Sequence, residues 1–88
     1  MRVLVTGGTG SFGSAAVRRL LGQPEVEKVI VYSRDEEKQH HMRQSITDPK
    51  VDFIIGDVRD PDALFHAMRN VDVVFHAAAL KQVPTGEF

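Results

Sequence analysis

A glycine cluster, Thr6-Gly7-Gly8-Thr9-Gly10-Ser11-Phe12-Gly13, lies near the start of the 88-residue chain, between a short β-branched run and an amphipathic segment. Gly7 is predicted to make a tight turn and Gly10 to let the backbone approach a pyrophosphate. Gly13 is predicted to let the following helix pack closely on the strand. The N–H groups at the start of that helix attract phosphate. The cluster therefore predicts a dinucleotide-binding loop.

Two alternatives compete with this interpretation. A glycine-rich turn that binds nothing stays open. A P-loop has the same interval from Gly8 to Gly13, but it needs a lysine next to reach the β and γ phosphates. Ser14 stands at that position, so a nucleotide triphosphatase is disfavoured.

Around the glycine cluster, short apolar runs alternate with helical patterns. The runs predict strands at residues 3–5, 28–32, 51–55 and 71–76, and the patterns predict helices over 11–21, 35–46 and from 61 onward. Ser33 and Glu36 have the spacing of a capping box before the second helix, and Asp60 is the expected N-cap of the third. This alternation predicts an α/β fold: the N-terminal part of a Rossmann-like, doubly wound parallel sheet with strand order 3-2-1-4, incomplete at this length.

The end of the second strand indicates which cofactor the loop binds. An acidic residue about 20 positions past the glycines accepts from the ribose 2′-hydroxyl of NAD, whereas an arginine accommodates the 2′-phosphate of NADP. Counting from Gly13 leads to Ser33, with Arg34 next, so NADP is favoured over NAD. In the alternative, Ser33 is only a helix cap, Arg34 is a solvated charge and Asp35 is the acidic residue.

Two later positions are candidates for cofactor contact. Asp57 follows the third strand, where its carboxylate can accept from the adenine amino group or serve only as a turn residue. Ala77 begins a run of small residues after the fourth strand, which either lets a cofactor lie close or packs internally.

Composition and charge exclude several classes of protein. With 11 Lys and Arg against 12 Asp and Glu, the net charge is −1, which disfavours nucleic-acid binding. The chain has no cysteine, and its histidines lack partners at ligand spacing, so no metal site is predicted. The first apolar run is too short for a signal peptide or a membrane span. We therefore expect a cytoplasmic protein.

These features together resemble the extended short-chain dehydrogenase/reductase superfamily. Within it they are most similar to the inverting UDP-N-acetylglucosamine 4,6-dehydratases of surface polysaccharide synthesis, including relatives called capsular polysaccharide or UDP-glucose 4-epimerase proteins. Besides the glycine cluster, the likeness rests on Tyr32-Ser33-Arg34-Asp35-Glu36-Glu37-Lys38-Gln39, Ile55-Gly56-Asp57-Val58-Arg59-Asp60 and His76-Ala77-Ala78-Ala79-Leu80-Lys81-Gln82-Val83-Pro84. The last two stretches are more specific to this group than the glycine cluster.

The resemblance implies a set of binding residues. It implies NADP contacts from Thr9, Gly10, Ser11, Phe12, Ser33, Arg34, Asp35, Glu36, Glu37, Lys38, Asp57, Val58 and Ala77. It also implies that Lys81 lies where NADP and the UDP-sugar meet. UDP-N-acetylglucosamine is the implied substrate, and the full-length enzyme is expected to be a homo-oligomer.

The resemblance also implies that catalytic residues lie elsewhere. Tyr32 is the only tyrosine, and Glu36 stands where the superfamily's Tyr-x-x-x-Lys pair needs a lysine. In the family reaction, NADP takes hydride from the sugar C4, water is lost across C5 and C6, and hydride returns to C6. We expect residues 1–88 to be an NADP-binding segment, inactive alone, without the later strands, the catalytic segment and the substrate domain. A segment of a UDP-sugar 4-epimerase, a stand-alone NADP-binding module and a truncated remnant stay open as alternatives.

Overall fold

The computed structural model describes residues 1–7 and 11–76, with only the backbone described for residues 11 and 12. Strands and helices alternate along the chain, as the sequence predicts. They are β1 Arg2–Thr6, α1 Ser11–Leu21, β2 Lys28–Ser33, α2 Glu36–Ser45, β3 Val51–Ile55, α3 Pro61–Ala67 and β4 Val73–His76. In the described ranges, none of the helices has the length and apolar character needed to cross a membrane.

The strands form one parallel sheet in the order β3-β2-β1-β4, which confirms the predicted α/β fold and strand order. In register, Thr6 of β1 pairs with Tyr32 of β2 and His76 of β4, and Tyr32 pairs with Ile54 of β3. The carboxyl ends of all the strands therefore meet at one edge of the sheet.

Apolar side chains cover both faces of the two central strands. On one face, Val5 and Val31 pack with Val17 of α1 and Met42 of α2. On the other face, Leu4, Ile30 and Tyr32 pack with Ala67 of α3. The continuous apolar runs of β1 and β2 are explained by this burial on both faces, because polar side chains have no solvent-facing side there. The outer strands β3 and β4 are only partly buried.

The structure corrects the predicted start of the second helix. The N-cap is Asp35, whose carboxylate accepts from the Lys38 N–H at 2.9 Å. Ser33 is instead the last residue of β2 and is buried, so the capping box with Glu36 does not form. The physical reason is that the β2–β3 ladder holds the chain extended through Ser33, which leaves Asp35 as the residue that caps.

The starts of α3 and β4 are the two other boundaries that the sequence predicts. Asp60 caps α3 as expected, accepting from the N–H groups of Asp62 and Ala63, with Pro61 in the first turn. The last strand begins at Val73 rather than Val71, because the Val71 N–H donates to the Met68 carbonyl at 3.0 Å in the turn that follows α3.

Candidate functional site

A cleft of about 550 Å³ lies at the carboxyl edge of the sheet, where the strand ends meet. The residues that line it are Thr6, Gly7, Tyr32, Ser33, Arg34, Asp35, Gly56, Asp57, Val58, Arg59, Leu64 and His76. In open parallel sheets this edge is where ligands bind. Six of the residues predicted as cofactor contacts are among them: Gly7, Ser33, Arg34, Asp35, Asp57 and Val58.

Gly7 starts the predicted loop with a backbone that glycine favours. Its φ is 67°, in the left-handed region, and its N–H donates to the Tyr32 carbonyl at 3.0 Å. A side chain at this position would strain the turn. The turn role predicted for Gly7 is therefore what the structure shows.

Ser33 ends β2 with 8% of its surface exposed. Its hydroxyl lies 3.1 Å from the side-chain nitrogen of Gln39, and its carbonyl accepts from the same nitrogen at 3.2 Å. The Gly56 N–H also donates to the Ser33 carbonyl, at 2.9 Å. Ser33 is thus held by α2 on one side and by the end of β3 on the other.

Arg34 extends from the end of β2 into solvent, with 70% of its side chain exposed. Its Nη1 lies 3.4 Å from Oδ2 of Asp57, at the outer limit for a hydrogen bond. A guanidinium carries several N–H donors in a planar fork. Within the part of the chain that the structure describes, this one contact engages it, so most of its donors face solvent beside the cleft.

Asp57 is bound more tightly by Arg59 than by Arg34. Oδ1 of Asp57 accepts from the Arg59 N–H at 2.9 Å, and Oδ2 accepts from Nη2 at 2.9 Å. Hydrogen bonds from Arg59, helped by the charges of Arg59 and Arg34, hold the pKa of the Asp57 carboxyl well below its usual range. Asp57 is therefore ionised at neutral pH, and both of its oxygens already have arginine partners. The turn contact that the sequence allowed for Asp57 is present, and its contact with adenine stays a prediction.

Tyr32 supports the loop that carries Asp57 from beneath. Its ring is fully buried, and its hydroxyl donates to the Asp57 carbonyl at 3.0 Å. Gly56 lies against this ring: a Cβ added to Gly56 would lie 2.5 Å from the Tyr32 hydroxyl oxygen. Such a separation is too short for real atoms, so a glycine is required there for the loop to sit on Tyr32.

The remaining predicted site residues fall into three groups. Glu36, Glu37 and Lys38 are in the first turn of α2, and Glu36 and Glu37 line a separate cavity that Ile55 of β3 also lines. Gly13 is buried within α1, and Ser11 and Phe12 are in its first turn. Thr9, Gly10, Ala77 and Lys81 lie outside the described residues.

Several residues of the site were not assigned a role from the sequence. Gln39, Tyr32 and Arg59 make the contacts just described, and Thr6 Oγ1 lies 2.9 Å from His76 Nδ1 where β1 and β4 end. Arg59 follows Asp57 by two residues, a spacing that could have suggested the turn contact. Gln39 gives no such signal, because the sequence of a polar helix does not distinguish a buried glutamine from an exposed one.

The sequence and the fold both have known relatives. Residues 3–88 match a family described as polysaccharide biosynthesis protein. A UDP-glucose 4-epimerase from Rickettsia bellii (strain OSU 85-389) is 52% identical over 89 residues, an alignment that covers 98% of this chain and 26% of the relative.

Solved structures agree with this likeness. A dTDP-glucose 4,6-dehydratase from Streptomyces venezuelae, with NAD bound, has a TM-score of 0.75 at 35% identity, covering 86% of this chain and 26% of that one. A UDP-glucuronic acid 4-epimerase from Bacillus cereus, in complex with NAD, has a TM-score of 0.71 at 26% identity with the same coverage. The chain spans about a quarter of the length of these relatives. Since the family match extends over nearly every residue, the chain belongs to the polysaccharide biosynthesis protein family.

Proposed function

We propose that this chain is the N-terminal NADP-binding segment of a nucleotide-sugar enzyme similar to the UDP-N-acetylglucosamine 4,6-dehydratases. The observation that carries the proposal is the exposed Arg34 guanidinium next to Ser33, at the end of β2 and at the rim of the cleft. This is where a dinucleotide's adenosine ribose lies in folds of this kind.

The residues of the cleft fit a dinucleotide. Gly7 makes the turn that the phosphate-binding loop needs, and the cleft has the strand ends on one side and the loop after β3 on the other. When bound, the nicotinamide accepts and returns hydride. The described residues act at the other end of the cofactor, where they bind and orient the adenosine portion.

The choice of NADP over NAD rests on how the charges at the end of β2 are used. An NAD-binding site needs a carboxylate to accept from the ribose hydroxyls. Two carboxylates line the cleft: Asp35 caps α2 through the Lys38 N–H, and Asp57 is paired with Arg59. Arg34 instead offers donors to a phosphate, and a charge-assisted hydrogen bond of this kind contributes about 1.5 to 3 kcal/mol. The two solved relatives named above contain NAD. The preference for NADP is therefore proposed for this chain from its own residues and not from those relatives.

The reaction of the complete enzyme is proposed from the resemblance. Loss of water from UDP-N-acetylglucosamine is the first candidate, with Lys81 between cofactor and sugar, in a cytoplasmic homo-oligomer. The second candidate is a UDP-sugar 4-epimerase, which the Rickettsia bellii relative favours by its name and 52% identity. A non-catalytic NADP-binding module and a truncated remnant are the alternatives from other classes.

Binding and reaction need separate experiments. Calorimetric titration of the chain with NADP and NAD is expected to show tighter binding of NADP, and equal or weaker NADP binding would contradict the proposed cofactor. Sequencing the gene past the codon for Phe88 tests the parent enzyme, since an in-frame stop there would contradict the enzyme proposal for this polypeptide. If the frame continues, incubation of the longer protein with UDP-N-acetylglucosamine should yield a product lighter by one water, whereas an epimerase would leave the mass unchanged.

A further inference from the structure

Gln39 is a buried polar residue on the inner side of α2, with 2% of its surface exposed. Its Nε2 lies 2.9 Å from the Ile54 carbonyl oxygen, 3.2 Å from the Ser33 carbonyl oxygen and 3.1 Å from the Ser33 hydroxyl. A single amide nitrogen therefore joins α2 to the carboxyl ends of both β2 and β3.

The chemistry of these partners fixes the orientation of the amide. Carbonyl oxygens only accept hydrogen bonds, so the NH₂ group must face the carbonyls of Ser33 and Ile54. The amide nitrogen accepts no hydrogen bond in return. The NH₂ group has two hydrogens for three acceptors, so one N–H points to Ile54 and the other is shared between the carbonyl and the hydroxyl of Ser33. The Ser33 hydroxyl can therefore accept from Gln39 but cannot donate to it, and its own hydrogen is available to a ligand in the cleft that Ser33 lines.

The carbonyl oxygen of the Gln39 amide has a less favourable environment than its nitrogen. Among the described residues, the Oε1 of Gln39 is buried without a hydrogen-bond donor. A buried acceptor without a donor lowers stability, whereas a methionine of similar length would fill the same space without one. The Nε2 contacts are thus the feature that distinguishes glutamine from an apolar residue at this position.

We propose that Gln39 is a positioning residue for recognition of the ribose 2′-phosphate. It holds the Ser33 hydroxyl as an acceptor on the α2 side, which directs the O–H toward the cleft. There the Ser33 O–H and the Arg34 guanidinium donate to the same phosphate. This role rests on the proposed function, because the 2′-phosphate is what distinguishes NADP from NAD.

The test replaces the amide and leaves the volume nearly unchanged. Calorimetry with NADP and NAD is carried out on the wild type, Gln39→Met and a control, Met42→Ala. Met42 is buried on the same helix, where it packs with Val5, Val17 and Val31. Gln39→Met is expected to reduce the preference for NADP over NAD about tenfold, and Met42→Ala to leave the ratio unchanged. In a Ser33→Ala background, Gln39→Met should reduce the ratio no further, since the two changes remove one contact.

The outcomes separate the two proposals. A wild type that binds NADP no better than NAD contradicts the proposed function, and the role of Gln39 falls with it. A wild type that prefers NADP and a Gln39→Met variant that keeps the full preference overturn the role of Gln39 alone. Should Gln39→Met fail to fold, NMR of the wild type decides: the side-chain amide resonances of Gln39 are expected to shift more with NADP than with NAD, and equal shifts would overturn the proposal.

Discussion

The hydroxyl of Tyr32 donates to the carbonyl of Asp57 across 3.0 Å, and so ties β2 to the loop that follows β3. Burial raises the pKa of Tyr32, and the negative charges of Asp60 and Asp57 raise it further. The hydroxyl therefore stays protonated at neutral pH and remains a donor. Because the same loop places Asp57 and Arg59 in the cleft, this one contact couples the stability of the sheet to the shape of the candidate site.

Removing the hydroxyl while keeping the ring tests this contact. Tyr32→Phe is expected to lower the free energy of unfolding by about 1 kcal/mol, because the Asp57 carbonyl loses one of its two donors, keeping the Asp60 N–H, while the ring keeps its packing. Urea unfolding followed by circular dichroism measures the change. An unchanged unfolding midpoint would show that the hydrogen bond adds nothing to stability.

The close contact between Gly56 and the Tyr32 ring predicts that adding a methyl group at position 56 destabilises the fold. Gly56→Ala is expected to lower the free energy of unfolding by about 1 to 3 kcal/mol, since the new Cβ would overlap the ring. Gly22→Ala is the matched control: its Cβ would lie 3.5 Å from the Arg19 carbonyl oxygen, an ordinary contact. Equal effects of the two substitutions in urea unfolding would contradict the close approach at Gly56.

The ion pairs of Asp57 predict how its carboxyl titrates. Its pKa in the folded chain lies below the usual 3.8, chiefly through hydrogen bonds from Arg59. The ionised form therefore contributes stability that is present at neutral pH and is lost as the pH falls below about 4 toward the folded pKa.

The two arginines are expected to differ in their effect on this titration. Arg59→Ala should return the pKa of Asp57 toward 3.8, and Arg34→Ala should move it much less, because the Arg34 contact is longer. NMR titration of the Asp57 carboxyl carbon measures both changes. A larger shift in Arg34→Ala than in Arg59→Ala would contradict this order.

Much of the fold could be predicted from the sequence because its determinants are local. Continuous β-branched runs such as 28–32 are typical of strands buried on both faces, and Asp60 with Pro61 marks the start of a helix on its own. The residue that caps α2 was predicted incorrectly. Ser33 and Asp35 are both good caps, and the pairing of Ser33 with Ile55 of β3, which is distant in sequence, decides between them.

The candidate site was predicted only in part, for a similar reason. Spacing from the glycine cluster placed Ser33 and Arg34 at the cleft, because the position of a strand end follows from strand and helix lengths. The contact of Asp57 with Arg34 and the burial of Gln39 against Ile54 depend on groups that are distant in sequence and meet at the sheet edge. The hydrophobic periodicity of the sequence carries no information about these long-range contacts.

Arg34 is proposed to recognise the 2′-phosphate that distinguishes NADP from NAD, and calorimetry with the two cofactors on matched arginine variants measures this recognition. Arg34→Ala is expected to weaken NADP binding about ten- to a hundredfold and to leave NAD binding nearly unchanged. Arg18→Ala removes the same charge from α1, away from the cleft, and should change neither. Equal losses of affinity for NADP and NAD in Arg34→Ala would contradict recognition of the 2′-phosphate by Arg34.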